Sequence, residues 1–257
     1  MNYLVVCFVA FFASALTFFS GFGLGTLLLP AFAVFVPVEL AVAMTGVVHF
    51  LNGIFKLGLV GRHADRSVVL RFGLPAIGSA VLGAMALAHL AKLPALKSYM
   101  LAGELYSIEP VQLAVGVLLL VFAGLEFSTR FRRVAISPRW MPLGGVLSGF
   151  FGGLAGMQGA LRSAFLIRSG LSKEQFVGTG VIIAFLIDVS RLGVYVPSVM
   201  TTAARIDYPL LAAAMVSAFI GAYLGNRHLA KVTLEYVQRL VATVLGIVGV
   251  ALIAGWL

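Results

Sequence analysis

A single cysteine, Cys7, stands among 257 residues, so no intrachain disulfide is available and cysteine usage says nothing of redox compartment. Charge is scarce too: Asp, Glu, Lys and Arg make up only 11% of the chain, with nine acids against eighteen bases. Histidine occurs four times. A metal carrier should place several acids or histidines in its spans, and only Asp188 and His49 qualify, so no metal or other cofactor is expected. No nucleotide-binding motif occurs, which argues against direct ATP drive. Ser148 sits among glycines, but "GGVLSGF" lacks the GxSxG spacing of a nucleophile elbow. An intramembrane hydrolase would rest on that serine alone, and the chain is not expected to be an enzyme.

Apolar residues fill the space that charge leaves. They form 61% of the chain, and the mean hydropathy is +1.08. Runs such as 1–36, 110–128 and 233–257 can cross a hydrocarbon core of roughly 30 Å. The alternating pattern of an outer-membrane barrel is absent, so the spans must be helical. An all-α polytopic membrane protein follows, with the lipid bilayer as its surroundings. The opening "MNYLVVCFVAFFASA" lacks the basic start of a signal peptide and runs on into the membrane pattern, so it reads as retained structure. Val6 before Cys7 is bulky for a lipid-attachment site. The net charge of +9 comes from bases in short loops, which set orientation rather than bind nucleic acid.

Eight apolar segments can be drawn, at about 1–36, 39–60, 68–91, 110–128, 140–168, 174–198, 207–226 and 233–257. The first and fifth are long, and each carries a glycine cluster: "GFGLG" at 21–25 and "GFFGGLAGMQG" at 149–159. Glycine weakens a helix by about 1 kcal/mol and proline, here Pro30, by about 3 kcal/mol. The halves match at an offset of 135 residues: Gly21 with Gly156, Glu39 with Glu174, Phe50-Leu51 with Phe185-Leu186, and "KLG" at 56–58 with "RLG" at 191–193. The reading is an N-terminal repeat over 1–128, a basic cytoplasmic linker over 129–139 and a C-terminal repeat over 140–257.

Basic residues choose between parallel and inverted repeats. If the glycine clusters turn the chain back, loops 61–71, 129–139, 168–174 and 227–239 share one side and hold twelve Lys and Arg, against Lys92, Lys97 and Arg205 opposite. Single crossings would split the bases almost evenly. The positive-inside bias favours two inverted-topology repeats, each a glycine-broken re-entrant hairpin plus three transmembrane helices, with both termini on the non-cytoplasmic side. Broken segments at matching places in two halves point to a transporter's binding site. Small-residue helix packing is the competing explanation of the glycines.

Three bases lie away from loops: Lys56, Arg162 and Arg191. Each costs about 2.5–3.5 kcal/mol at a helix centre on insertion scales. At 100° per residue, Thr45, His49, Asn52 and Lys56 fall within about 60° of arc, a polar stripe that should face protein or a cavity. Asp188 and Arg191, three apart, can pair on one helix face. Lys56 and Arg191 lie near span ends, where snorkelling to headgroups competes with a gating role. Arg162 belongs to the return arm of the second break, beside Gln158. Glu39 and Glu174 open helices and suit the positive dipole end; Trp140 and Trp256 fit interfacial anchors. Gly21, Gly23, Gly25, Asn52, Gly156, Gln158, Gly159 and Arg162 are the substrate-site candidates. Lys56, Asp188 and Arg191 are the gating charges, and His49 and Asp188 the candidates for coupled protons. Excess positive charge and bare helix N-termini favour a small anion.

At these residues the chain resembles the TauE/SafE sulfite-exporter family. The resemblance runs through "SGFGLGTLLLPAF", "LSGFFGGLAGMQGALRSAFLI" and "GAYLGNRHLAKVTLEYVQRLVATVLGIVGVALI". The family's second glycine motif is usually richer in glycine and followed by proline. Here Gln158, Arg162 and Phe165 stand without that proline, a departure that bears on substrate rather than fold. The resemblance implies an inner-membrane secondary permease for sulfite, sulfonates or related anions, often an exporter. The alternative is a transporter of another small solute, an amino acid or a metal ion. Oligomeric state, direction and the anion itself are not legible.

Overall fold

The protein was analysed as a computed structural model, which describes residues 2–20, 24–128, 136–201, 207–228 and 234–257. Gly21 and Gly23 lie outside these residues, as do most of the basic linker, Arg205 and Lys231. In chain order the helices are α1 (Asn2–Ser20), α2 (Leu24–Ala33), α3 (Val38–Val60), α4 (Arg66–Leu90), α5 (Pro110–Phe127), α6 (Met141–Ala155), α7 (Gly159–Leu166), α8 (Lys173–Thr201), α9 (Tyr208–His228) and α10 (Leu234–Ile253). Five of them, α3, α4, α5, α8 and α9, contain stretches long and apolar enough to cross a membrane, and shorter apolar stretches lie in α1, α2 and α10. The molecule is an all-α polytopic membrane protein.

Local chemistry sets the ends. Asp65 caps α4, its Oδ1 accepting from the Val68 N–H at 2.9 Å. Pro110 opens α5, where a missing N–H costs nothing, and Gln112 Oε1 accepts from the Glu109 N–H at 2.9 Å. Glu39 and Glu174 both lie in first turns, of α3 and α8. Gly156 ends α6 in the left-handed region, φ 73°. Its N–H reaches Gly152 O at 2.9 Å and that of Met157 reaches Phe151 O at 3.3 Å, so the freed carbonyls are satisfied.

At 1.5 Å per residue, α2 and α7 extend only about 15 Å and about 12 Å, half a bilayer core or less. Each packs against the helix before it, α2 on α1 and α7 on α6. Pro30 lies inside α2 rather than at its first turn, so it forgoes the bond its N–H would give the Thr26 carbonyl.

The halves interlock. α4 packs on α6 and α9 on α1. Added Cβ atoms on Gly145, Gly149 and Gly153 would lie 2.2, 2.3 and 2.0 Å from the carbonyl oxygens of Phe72, Ala76 and Ala80. The two numbers rise together, so α4 and α6 run parallel, with backbones in contact along a small-xxx-small stripe. Gly221 and Gly225 meet Phe11 and Ala15 in the same sense on α9 and α1. Thus glycines of the fifth segment serve both readings: 145, 149 and 153 pack helices, and 156 makes the break. Elsewhere numbers run oppositely. His49 meets Asp188 and Phe50 stacks on Phe185, so α3 and α8 are antiparallel. Gly116 meets Gly249 and Ile253, and Gln112 Nε2 donates to Leu257 O at 2.6 Å, so α5 and α10 are antiparallel too.

One element departs from the helical expectation. Lys97–Leu101 (β1) and Glu104–Ile108 (β2) form an antiparallel hairpin, Lys97 opposite Ile108 and Leu101 opposite Glu104. Ala102 and Gly103 take φ 52° and 88°, positive values that suit a two-residue turn. Tyr99 stacks on Tyr106, donates to Ala254 O at 2.5 Å and accepts from Trp256 Nε1 at 3.0 Å, which docks the hairpin on the end of α10.

The α4–α6 contact gives a test. Gly149→Leu or Gly153→Leu must push two backbones apart, at a cost of about 1–3 kcal/mol or more. Both should lower the thermal unfolding midpoint in detergent, whereas Gly58→Ala, within α3 and with open space around it, should hold or raise it.

Candidate functional site

The start of α2 meets the second break. A Cβ on Gly25, in the first turn of α2, would lie 2.9 Å from the Gly156 carbonyl oxygen. Around that meeting point a cavity opens, lined by Gly25 and Thr26 of α2; His49, Asn52, Gly53 and Lys56 of α3; Gly156, Gln158, Gly159, Arg162, Ser163 and Leu166 of the second break and α7; and Phe176, Val177, Gly180, Val181 and Ala184 of α8. It leaves about 50 Å³ in which the centre of a water-sized sphere can sit. One water needs roughly 10–15 Å³ by that measure, so a small solute fits. The N-termini of α2 and α7 both reach this cavity, each bringing the positive end of its dipole.

A polar cluster backs the cavity. Asp188 is fully buried on α8, with Oδ2 2.5 Å from His49 Nδ1 and Oδ1 accepting from Arg191 Nε at 2.9 Å. Arg191 Nη2 is 2.8 Å from the same oxygen, and Nη1 donates to Gly152 O at 3.4 Å. Gln158 Nε2 donates to Asp188 Oδ1 at 3.3 Å, and its Oε1 accepts from Arg162 Nη1 at 3.2 Å. A carboxylate on α8 therefore orients the amide that in turn aims the Arg162 guanidinium. Tyr195 donates to Gly153 O beside it.

Asn52, 1% exposed, donates through Nδ2 to Ser14 Oγ at 2.9 Å, and its Oδ1 has no partner. The two ends of an amide are alike in shape. With the group turned over, the Ser14 hydroxyl donates to Oδ1 and the NH₂ is left for an acceptor in the cavity.

The structure thus brings Gly25, Asn52, Gly156, Gln158, Gly159, Arg162, His49 and Lys56 into the lining of one cavity and sets Asp188 and Arg191 outside that lining. Lys56 is 5% and Arg191 0% exposed, which corrects the snorkelling expectation: neither reaches a headgroup layer. Gly21 and Gly23 lie outside the described residues. Ser148 donates its hydroxyl to Gln158 O at 2.9 Å and so braces the second break. Trp140 and Trp256 are about half exposed. Sequence reasoning missed Ser14, Thr26 and Ser163, and the α8 face at 177, 180, 181 and 184. That stretch is apolar, although Asp188 and Arg191 continue its face one and two turns on, the one signal that could have found it.

Asp188 is the one carboxylate among the described residues of this cluster, against Lys56, Arg162 and Arg191. Asp188→Leu strands buried cations, which costs about 3–5 kcal/mol. Its unfolding midpoint in detergent should fall sharply, and Asp188→Leu with Arg191→Leu should recover part of the loss.

The sequence comparison agrees with this architecture. The model of the family described as "Sulfite exporter TauE/SafE" matches residues 6–252. No curated protein and no solved structure gives a match alongside it. A match over nearly the whole of a membrane-spanning chain makes this protein a member of the TauE/SafE sulfite exporter family.

Proposed function

We propose that this membrane protein is a secondary transporter of small sulfur-containing anions, sulfite or organosulfonates, working by alternating access in the cell inner membrane. The observation that carries the reading is the cavity where the start of α2 meets the second break, with Lys56, Arg162 and Asn52 in its lining and two helix N-termini reaching it. Buried cations and free N–H groups of this kind are selective for negative charge. Sulfur is the family's contribution, and the geometry of the cavity adds the sign of the charge.

Alternating access by two inverted repeats, 1–128 and 140–257, is supported by helix direction. α3 runs against its counterpart α8, and α5 against α10, as inversion requires. The basic loops then face the cytoplasm and both termini lie outside. Lys56 and Arg191, at equivalent positions of the two halves, are the gating charges: Lys56 lines the cavity while Arg191 is tied to Asp188. His49, in contact with both cavity and carboxylate, is placed to carry a coupled proton.

Proteoliposomes loaded with sulfite should lose it faster than empty-vesicle controls, and a rate equal to the controls, with sulfonates also immobile, would overturn the assignment. Arg162→Met should cut flux at low substrate by about ten- to a hundredfold, the worth of one hydrogen bond to a charged group. In a Cys7→Ser background, single cysteines at positions 37 and 170 should react with impermeant reagents from opposite faces of the membrane; labelling from one face would contradict the inverted repeats.

A further inference from the structure

The β1–β2 hairpin has two faces of different chemistry. Side chains alternate along a strand, and directly opposed residues share a face. Tyr99 and Tyr106 therefore mark one face, which also carries the charges Lys97 and Glu104. This face docks: the Tyr99 hydroxyl donates to Ala254 O and accepts from Trp256 Nε1. The other face sets Ser98 opposite Ser107 and Met100 opposite Leu105. Leu96 extends it by one step, its N–H donating to the Ile108 carbonyl at 2.8 Å.

No charge stands on this second face. Its two serine hydroxyls bond each other at 2.9 Å, so neither depends on water. Leu96, Met100 and Leu105 are 61%, 66% and 67% exposed. A two-stranded hairpin is marginal in water, and an uncharged face of this kind calls for a cover.

Position names the cover. β2 leads through Glu109 into α5, a helix long and apolar enough to cross a membrane, and β1 is tied to the end of α10. The hairpin thus stands where spans end and headgroups begin. Tyr99, Tyr106 and Trp256 gather at that level, the two aromatic types that favour the membrane–water layer. Exposed Lys92 and Lys97 flank Leu93 and Leu96, and long basic side chains there can lie along apolar surface and reach lipid phosphates. A second copy of the chain is the poorer occupant. A stable dimer engages about 20–30 residues a side, and this face offers three apolar side chains.

We propose that the Leu96–Met100–Leu105 face of the hairpin packs on lipid, against acyl chains just beneath the headgroups. The hairpin is then a surface anchor. It holds the start of α5 and the end of α10 at a fixed depth, with its docked face toward the protein and its uncharged face toward the bilayer.

The test places nitroxide labels on Met100→Cys, Leu105→Cys and Glu104→Cys in a Cys7→Ser background. The full-length protein is reconstituted in vesicles of phosphatidylethanolamine and phosphatidylglycerol, and each variant is checked for an unchanged unfolding midpoint. At 100 and 105, collisions with oxygen should exceed those with a water-soluble nickel chelate, and at 104 the order should reverse. A second arm leaves the hairpin untouched. Trp140→Phe makes Trp256 the sole tryptophan, and its fluorescence should be quenched more by lipids brominated near the headgroup end of the chain than by lipids brominated deep. Nickel outrunning oxygen at 100 and 105, one order at all three positions, or Trp256 unquenched by either lipid would overturn the anchor. So would spin–spin broadening at 100 that disappears on dilution with unlabelled protein, since a second copy would then cover the face.

Discussion

Hydrocarbon supplies no water to a broken helix or to a charge, so what is left unsatisfied in one part of this chain must be met by another. That constraint organises the centre of the molecule. Gly156 interrupts α6–α7, and the end of α6 closes on its own backbone while the start of α7 stays open toward the cavity. Gly25, in the first turn of α2, arrives at the same place from the N-terminal part of the chain. Two short helices, α2 and α7, start at one space, and both aim positive ends at it.

Charge follows the same logic. Asp188 receives His49, Arg191 and Gln158, from α3, α8 and the second break. One carboxylate thereby ties three separately folded pieces together, and the amide passes its orientation on to Arg162. Replacing such a cluster with apolar side chains is often neutral or stabilising in proteins. Retaining it costs stability and gives placement: Arg162 points where the cavity is. Around this centre the α4–α6 and α1–α9 contacts are made by glycine and alanine, which bring backbones close without polar side chains.

Much of the fold was legible because membrane spans are long, and length is the strongest signal that apolar sequence carries. The eight segments coincide with the helices within a few residues, and the second predicted break falls between α6 and α7, while Gly21 and Gly23 of the first lie outside the described residues. The polar stripe of α3 was legible too, since four polar residues in an apolar span have a visible phase. Other features were not. The hairpin at 97–108 is short and apolar, and "KSYMLAGELYSI" reads as a loop between spans until Tyr99 finds the end of α10. Burial of Lys56 and Arg191 depended on segments far away in the chain, the cavity lining at 156–184 around Lys56 and the Gly152 carbonyl beside Arg191: position near a span end suggested snorkelling, and the fold turned both inward. The α8 face at 177, 180, 181 and 184 was not legible either. Its residues are apolar, and the polar pair that shares their face, Asp188 and Arg191, lies one to two turns further along α8, where it reads as an ion pair of its own.

The central claim is that the two breaks and the buried cations enclose an anion. An electron-density map of the protein in lipid with selenite, an electron-rich stand-in for sulfite, tests it most directly. The account calls for a discrete peak between Gly25 and Gly156, within hydrogen-bond reach of Arg162, Lys56 and Asn52. Continuous helices through both glycine clusters, or a peak only on the outer basic loops, would contradict it.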